Sequence, residues 1–202
     1  MKRTIICIGR QFGSGGHEIG KLISAKLNIP FYDKEIINEM VKESGYSKDL
    51  LDEYDERSTN SFLYSLSLGA FSLGGSTSAN YVLPLTDKIF MVLSDTIKNI
   101  AKNGSCVLVG RCADEILSDD PDVFKVFIFN DLNNRIGRIA SIQNISRSEA
   151  ESLIKKTDKS RANYHNFYSD KKWGEAINYD ICINSKIGIE KTADVIISAL
   201  EK

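Results

Sequence analysis

Five short apolar runs punctuate the chain, at residues 5–8, 29–32, 106–109, 123–129 and 181–183. They are rich in β-branched and aromatic residues and do not alternate with polar ones. A strand covered on both faces has this pattern, as in a parallel sheet packed between helices. Helical periodicity fills the intervals. Residues 17–27 place Ile19, Leu22, Ile23 and Leu27 on one face, and residues 34–43 follow the second run. Residues 87–102 carry Ile89, Val92, Leu93, Thr96, Ile97 and Ile100 on one stripe. Asn130 or Asp131 is placed to cap a helix through about residue 143, and a last helix spans 189–200. Strand–helix alternation of this kind predicts an α/β fold with a parallel sheet.

Two stretches break the alternation. Residues 56–85 are rich in Ser, Gly and Asn and carry Phe62, Leu66 and Phe71. They read as a partly helical excursion with a flexible segment at 72–80. It is either a plain surface loop or a cover for a site or interface, and packing of its apolar residues against a second copy would make a homo-oligomer. The second stretch is 131–172. Its helix pattern restarts at the capping box Ser146-Arg-Ser-Glu149. It holds nine Lys and Arg against five Asp and Glu, a local excess of four in a chain of net charge −1.

That near-neutral total argues against a nucleic-acid binder. A chain of 202 residues with 42% hydrophobic and 26% charged residues has enough apolar surface for a real core. No apolar run approaches about 18 residues, so no membrane span is expected, and the apolar stretch at 5–8 is too short for a secretory signal. Cys7, Cys106 and Cys182 fall in strand-like runs and are expected to be buried, reduced thiols of a cytoplasmic protein. Cys112 follows a Gly-Arg pair and is expected to be more accessible. With no CxxC pair and two His in all, a protein-built metal site is not expected.

The densest chemistry follows the first run: Gly9-Arg-Gln-Phe-Gly-Ser-Gly-Gly-His-Glu18, after which a helix begins. Glycines let backbone N–H groups approach an anion, and the positive end of the helix dipole favours it. A bare tight turn is the alternative. The P-loop pattern GxxxxGK[ST] is not met. With Gly15 on its second glycine, Arg10 stands at the first glycine, Gly16 at the lysine and His17 at the Ser/Thr that meets Mg²⁺. GxGxxG fails as well. Arg10 lies in the same turn and offers a planar cation where the lysine is missing.

Residues 8–19 (IGRQFGSGGHEI), 27–34 (LNIPFYDK) and 107–117 (VLVGRCADEIL) together resemble the cytidylate-kinase-like family of P-loop proteins. The similarity continues in Asn134-Arg-Ile-Gly-Arg138, Asp158-Lys-Ser-Arg161 with Tyr164, Trp173-Gly174 and Tyr179-Asp180, and so spans nearly the whole chain. It implies a three-layer fold: a five-stranded parallel sheet of P-loop kinase type, flanked by helices and closed by a helical lid. It also implies one domain over 1–202, with an acceptor-side helical excursion at about 34–103 and the basic 131–172 segment as lid. ATP with Mg²⁺ would be the phosphoryl donor and a CMP-like nucleotide the acceptor. Two other readings are a non-catalytic nucleotide-binding module on the same fold and a dinucleotide-binding oxidoreductase.

Phosphoryl transfer consists mostly of positioning and charge neutralisation. Gly13, Ser14, Gly15, Gly16, His17 and Glu18 would hold the ATP phosphates, Glu18 alternatively serving the helix end alone. Arg10 would replace the lysine, if it is not a surface arginine. Asp33 takes the acceptor-side position or caps the next helix. Arg111 and Asp114 would bind the acceptor, or Arg111 pairs with Asp114 or Glu115. Arg135 and Arg138 share a helix face, where two like charges repel unless an anion lies between them. Arg161, with Asp158 and Tyr164, would belong to the lid, or Asp158 and Arg161 form an ion pair along the helix. Trp173 is expected to anchor the lid's return to the body.

Overall fold

The computed structural model describes residues 3–51 and 85–200. Five strands form one parallel sheet: β1 (Ile5–Arg10), β2 (Phe31–Tyr32), β3 (Cys106–Val109), β4 (Val123–Phe129) and β5 (Ile181–Asn184). Their order is β2-β3-β1-β4-β5, and every pairing is parallel. Among the described residues the helices include α1 (Gly16–Leu27), α2 (Glu35–Ser44), α3 (Leu85–Lys102), α4 (Ala113–Ile116), α5 (Leu132–Gln143), α6 (Arg147–Tyr168) and α7 (Ile189–Leu200).

Strand alternation explains why the runs are apolar throughout. Ile5 and Cys7 face one side, with Cys106 and Leu108 beside them, and α2, α3 and α4 cover that side through Ile36, Met40, Ile89, Leu93, Ile97 and Ala113. Ile6 and Ile8 face the other side with Val107, Val126 and Ile128, under Ile19 and Ile23 of α1 and Ala193 and Ile196 of α7. Each such side chain, fully buried, contributes roughly 1.5–3 kcal/mol. The strand over 29–32 is cut to two residues. Pro30 has no N–H and offers only its carbonyl, which accepts from Val107 N at 2.9 Å. α5 and α6 carry their own small core of Ile136, Ile139, Ala150 and Ile154, against which Phe12 packs.

β1 is flanked by β3 on one side and β4 on the other, so the carboxyl ends of β1 and β3 form the crevice where open parallel sheets take ligands. The Ser/Gly-rich excursion, with Phe62, Leu66, Phe71 and residues 72–80, lies outside the described residues. No described helix is long and apolar enough to cross a membrane. The four thiols are free, as expected. Cys112, however, is 3% exposed and as enclosed as the strand cysteines, while Cys182 is only half-buried. A left-handed turn folds Cys112 inward, and burial, with Asp114 and Glu115 nearby, pushes its thiol far up.

Candidate active site

The glycine-rich turn links β1 to α1. Gly15 is the N-cap in left-handed conformation (φ 82°), and no side chain caps the first N–H groups of α1. Below the turn, the Ser185 hydroxyl donates to Ser14 O at 2.6 Å and fastens the turn to the end of β5. The Ser14 hydroxyl itself is buried without a partner among the described residues. A cleft of about 230 Å³ opens above, lined by Gly13, Gly15, Gly16, His17, Glu18, Asp33 and Arg138. Arg138 Nη2 pairs with Glu18 Oε1 at 2.7 Å across its mouth.

Arg10 ends β1 and lines both this cleft and a narrow recess of about 50 Å³ behind it. Its stem lies on Gly16, where a Cβ would come 2.6 Å from Arg10 Cβ. Its guanidinium crosses Gly110, where a Cβ would come 1.7 Å from Arg10 Nη1 and where φ is +76°. A side chain at either glycine is therefore incompatible with this Arg10. Gly110, Arg111 and Cys112 have φ of 76°, 57° and 55°, three left-handed residues in succession. Left-handed non-glycine residues store roughly 1–3 kcal/mol each, and such strain concentrates at functional sites.

Asp33, on the bend after β2, is the carboxylate of the crevice. It accepts from Arg10 Nη2 at 3.4 Å and meets His17 Nδ1 at 2.7 Å, while Arg111 Nε donates to its backbone carbonyl at 3.1 Å. Burial opposes its ionisation, but Arg10, His17 and Arg111 outweigh burial and hold its carboxyl below the ordinary range. Asp33 does not cap α2: Lys34 is the N-cap, and no side chain caps there.

Arg161 Nη1 donates to Arg10 O at 3.0 Å, and its guanidinium lies 5.5 Å from the centre of the Phe12 ring. Burial and the neighbouring Arg10 cation push it below the ordinary arginine range, although it stays charged at neutral pH. Arg10, Arg111 and Arg161 thus meet around the recess from three elements, with Tyr164, Trp173 and Tyr179 on its wall.

The basic segment divides otherwise than its spacing suggests. Arg135 and Arg138 turn to different partners, Asp158 and Glu18. Arg135 is 7% exposed and turns inward, donating to Asp158 Oδ2 at 2.5 Å, Phe12 O at 3.2 Å and Asn130 O at 3.1 Å. Asp158 in turn accepts from Phe12 N at 2.7 Å. The carboxylate thus pairs with Arg135 of another helix instead of Arg161 on its own. Likewise Asp114 meets His165 Nε2 at 3.1 Å and Glu115 pairs with Lys171 at 3.0 Å, and neither carboxylate pairs with Arg111.

The sequence reading missed His165. It is 5% exposed, holds Asp114 through Nε2 and leaves Nδ1 buried without a partner among the described residues. One helical turn from Arg161, it ties the end of α6 to the strained turn bearing Arg111. Phe90 stacks on Tyr168 (3.6 Å, 4°) and meets Tyr164 edge-on at 6.4 Å, which fixes the same end of α6 to α3. Trp173 stands edge-on to Phe127 at 5.2 Å, so the return of the chain after α6 does anchor on the sheet. The signal available was an i,i+4 pairing of Arg161 and His165 on one helix face, legible only once the face is known to be turned inward.

Among the described residues, no three His, Cys, Asp or Glu side chains converge on a metal position. A divalent ion here would be held chiefly by nucleotide phosphates and water, with one or two protein ligands, as Mg²⁺ commonly is.

The profile described as the cytidylate kinase-like family matches residues 5–187. A crystal structure of an uncharacterized protein from Eubacterium ventriosum ATCC 27560 is 34% identical, covers 99% of both chains and superposes with a TM-score of 0.74. Shikimate kinase from Bacteroides thetaiotaomicron (13% identity, 99% of both chains, TM-score 0.57) shares the fold. So does a gluconokinase from Sinorhizobium meliloti 1021 (13%, 98% of this chain and 93% of that one, TM-score 0.53). No protein of curated function matches the chain.

Proposed function

The chain belongs to the cytidylate kinase-like family, and on that premise we propose that it transfers the γ-phosphoryl group of ATP to a nucleoside monophosphate of the CMP or dCMP kind. Its P-loop kinase fold and family support a nucleotide or small-molecule kinase. The observation that carries the nucleotide acceptor is the meeting of Arg10, Arg111 and Arg161 beside the glycine-rich turn. Like charges are costly to gather in a half-buried crevice, and the depressed Arg161 cation records that cost. A phosphoryl group passing between two nucleotides offsets it.

The roles follow from position. The glycine-rich turn and the uncapped amino end of α1 receive the ATP phosphates. Mg²⁺ enters with ATP as part of the substrate. Arg10 supplies the cation that a P-loop lysine would supply; its stem fills the space over Gly16, the lysine's place in the register. The acceptor lies on the Asp33, Arg111 and Asp114 side. An oxygen of its phosphate attacks the γ-phosphorus, the bond to the β–γ bridging oxygen breaks, and ADP leaves. That attacking oxygen is already deprotonated at neutral pH, so no general base is required. Arg161 and Arg138 steady the charge of the migrating group. Arg135 and Asp158 shape the turn through Phe12 without touching substrate. The α5–α6 arm with Tyr164 serves as the closing element over the crevice.

The test is coupled ADP release with ATP and Mg²⁺ against CMP, dCMP, UMP, AMP and GMP, beside calorimetric ATP binding. Release that depends on CMP or dCMP is expected. ATP binding without release from any acceptor would overturn the kinase reading in favour of a non-catalytic nucleotide-binding module.

A further inference from the structure

His17 belongs to the glycine-rich turn, and the transfer reading leaves its chemistry unused. It stands second in α1, at the place where a P-loop carries the Ser or Thr hydroxyl that meets Mg²⁺. Its side chain is 52% exposed and lines the phosphate cleft beside Gly15, Gly16 and Glu18. Two contacts fix its pose. Nδ1 lies 2.7 Å from Asp33 Oδ2, the ring meets Phe31 edge-on at 5.2 Å, and Asp33 is itself held by Arg10.

Nδ1 faces the Asp33 carboxylate, and Nε2 bonds nothing among the described residues. A carboxylate that orients an imidazole by one nitrogen and leaves the other for a metal is the arrangement found behind metal-ligating histidines.

We propose that His17 Nε2 is a direct ligand of the divalent ion bound to the nucleotide, replacing the P-loop hydroxyl, and that it shifts the chain's metal preference from Mg²⁺ toward Mn²⁺ and Co²⁺. The assignment rests on the nucleotide-binding reading above. Nitrogen ligands favour first-row transition ions over the hard Mg²⁺, increasingly from Mn²⁺ to Co²⁺. One imidazole, with phosphate oxygens and water, completes the coordination without a cluster of protein ligands, in keeping with the absence of such a cluster among the described residues.

The experiment is pulsed EPR of the full chain with Mn²⁺ and a methylene-bridged ATP analogue, prepared with natural and with ¹⁵N-labelled histidine. The chain has two histidines, and His165 is enclosed against Asp114, so a histidine nitrogen on Mn²⁺ identifies His17. A ¹⁴N coupling that becomes a ¹⁵N coupling on labelling, and is lost in His17→Ser, is the expected result. Nucleotide-bound Mn²⁺ with no histidine nitrogen overturns the assignment and leaves the kinase reading standing. Failure of the analogue to bind in calorimetry overturns both. In turnover, the ratio of the Mn²⁺ to the Mg²⁺ rate is expected to fall about tenfold in His17→Ser, the scale of losing a metal-supporting contact; an unchanged ratio would contradict the proposal.

Discussion

Arg135 of α5 and Arg161 of α6 both reach the backbone around the glycine-rich turn, the first at Phe12 O and the second at Arg10 O. Their settings differ. Arg135 is closed in by a carboxylate and two carbonyls, and its charge is answered at close range by Asp158. Arg161 lies under an aromatic ring, beside a second guanidinium, on the wall of a recess. Arg135 is answered within the protein, whereas Arg161 keeps a like charge beside it. Both sit in the basic segment with similar spacing from an acid, so only the partner each side chain finds tells them apart.

The largest effect should separate the two directly. Arg161→Met is expected to lower phosphoryl transfer by roughly 10²–10³-fold, the scale of losing one preorganised contact to developing charge, with an unchanged melting temperature. A rate within about twofold of wild type would place Arg161 with Arg135. Arg135→Met should do the reverse. It strands Asp158 and frees the Phe12 backbone, at a cost of about 3 kcal/mol in stability by denaturant unfolding. A fully stable Arg135→Met variant would show that the inward pair does not hold the turn.

A sharper test uses the steric exclusion between Arg10 and position 16. Gly16→Lys alone should destabilise by about 1–3 kcal/mol, because its Cβ would meet Arg10 Cβ at 2.6 Å. Arg10→Gly together with Gly16→Lys removes the collision and restores the ordinary order of loop glycine and lysine. The pair should recover stability and retain transfer, whereas Arg10→Ala alone should lose roughly 10²-fold in rate. If the double variant is as unstable as Gly16→Lys, the two positions are not exchanging one role.

The smallest effect concerns acid. Asp33's folded-state pKa is lowered from 3.8. Its contribution to stability is thus fully present above that unfolded value and is lost as pH falls through the lower, folded one. Asp33→Asn should therefore narrow the gap between urea midpoints measured at about pH 5 and about pH 3. An unchanged gap would mean that Arg10, His17 and Arg111 do not act on Asp33 as a charge.

The sheet was legible because burial on both faces leaves a direct mark, continuous apolar runs. The third, fourth and fifth strands lie where 106–109, 123–129 and 181–183 place them, the last extended by Asn184. The capping box at Ser146 starts α6 as read. The turn over 110–112 left no comparable trace. Its left-handed Arg111 and Cys112 are residue types that rarely adopt that conformation, and the one-turn helix α4 that follows is too short to show a period. Charge partners were the least legible feature. Spacing pairs Asp158 with Arg161 and Arg111 with Asp114, while packing of α6 against the turn pairs Asp158 with Arg135 and Asp114 with His165. Ion pairs between elements follow from tertiary contacts that no local window contains.

Three arginines around the glycine-rich turn are proposed to serve phosphate transfer, and Arg135 to serve the fold. Labelled phosphate is followed from [γ-³²P]ATP onto CMP and dCMP in wild type, Arg161→Met and Arg135→Met, each with its melting temperature. Labelled product is expected from wild type, with its loss in Arg161→Met at unchanged melting temperature and a lowered melting temperature in Arg135→Met. No label on either nucleotide with wild type, or equal transfer by Arg161→Met, would contradict this.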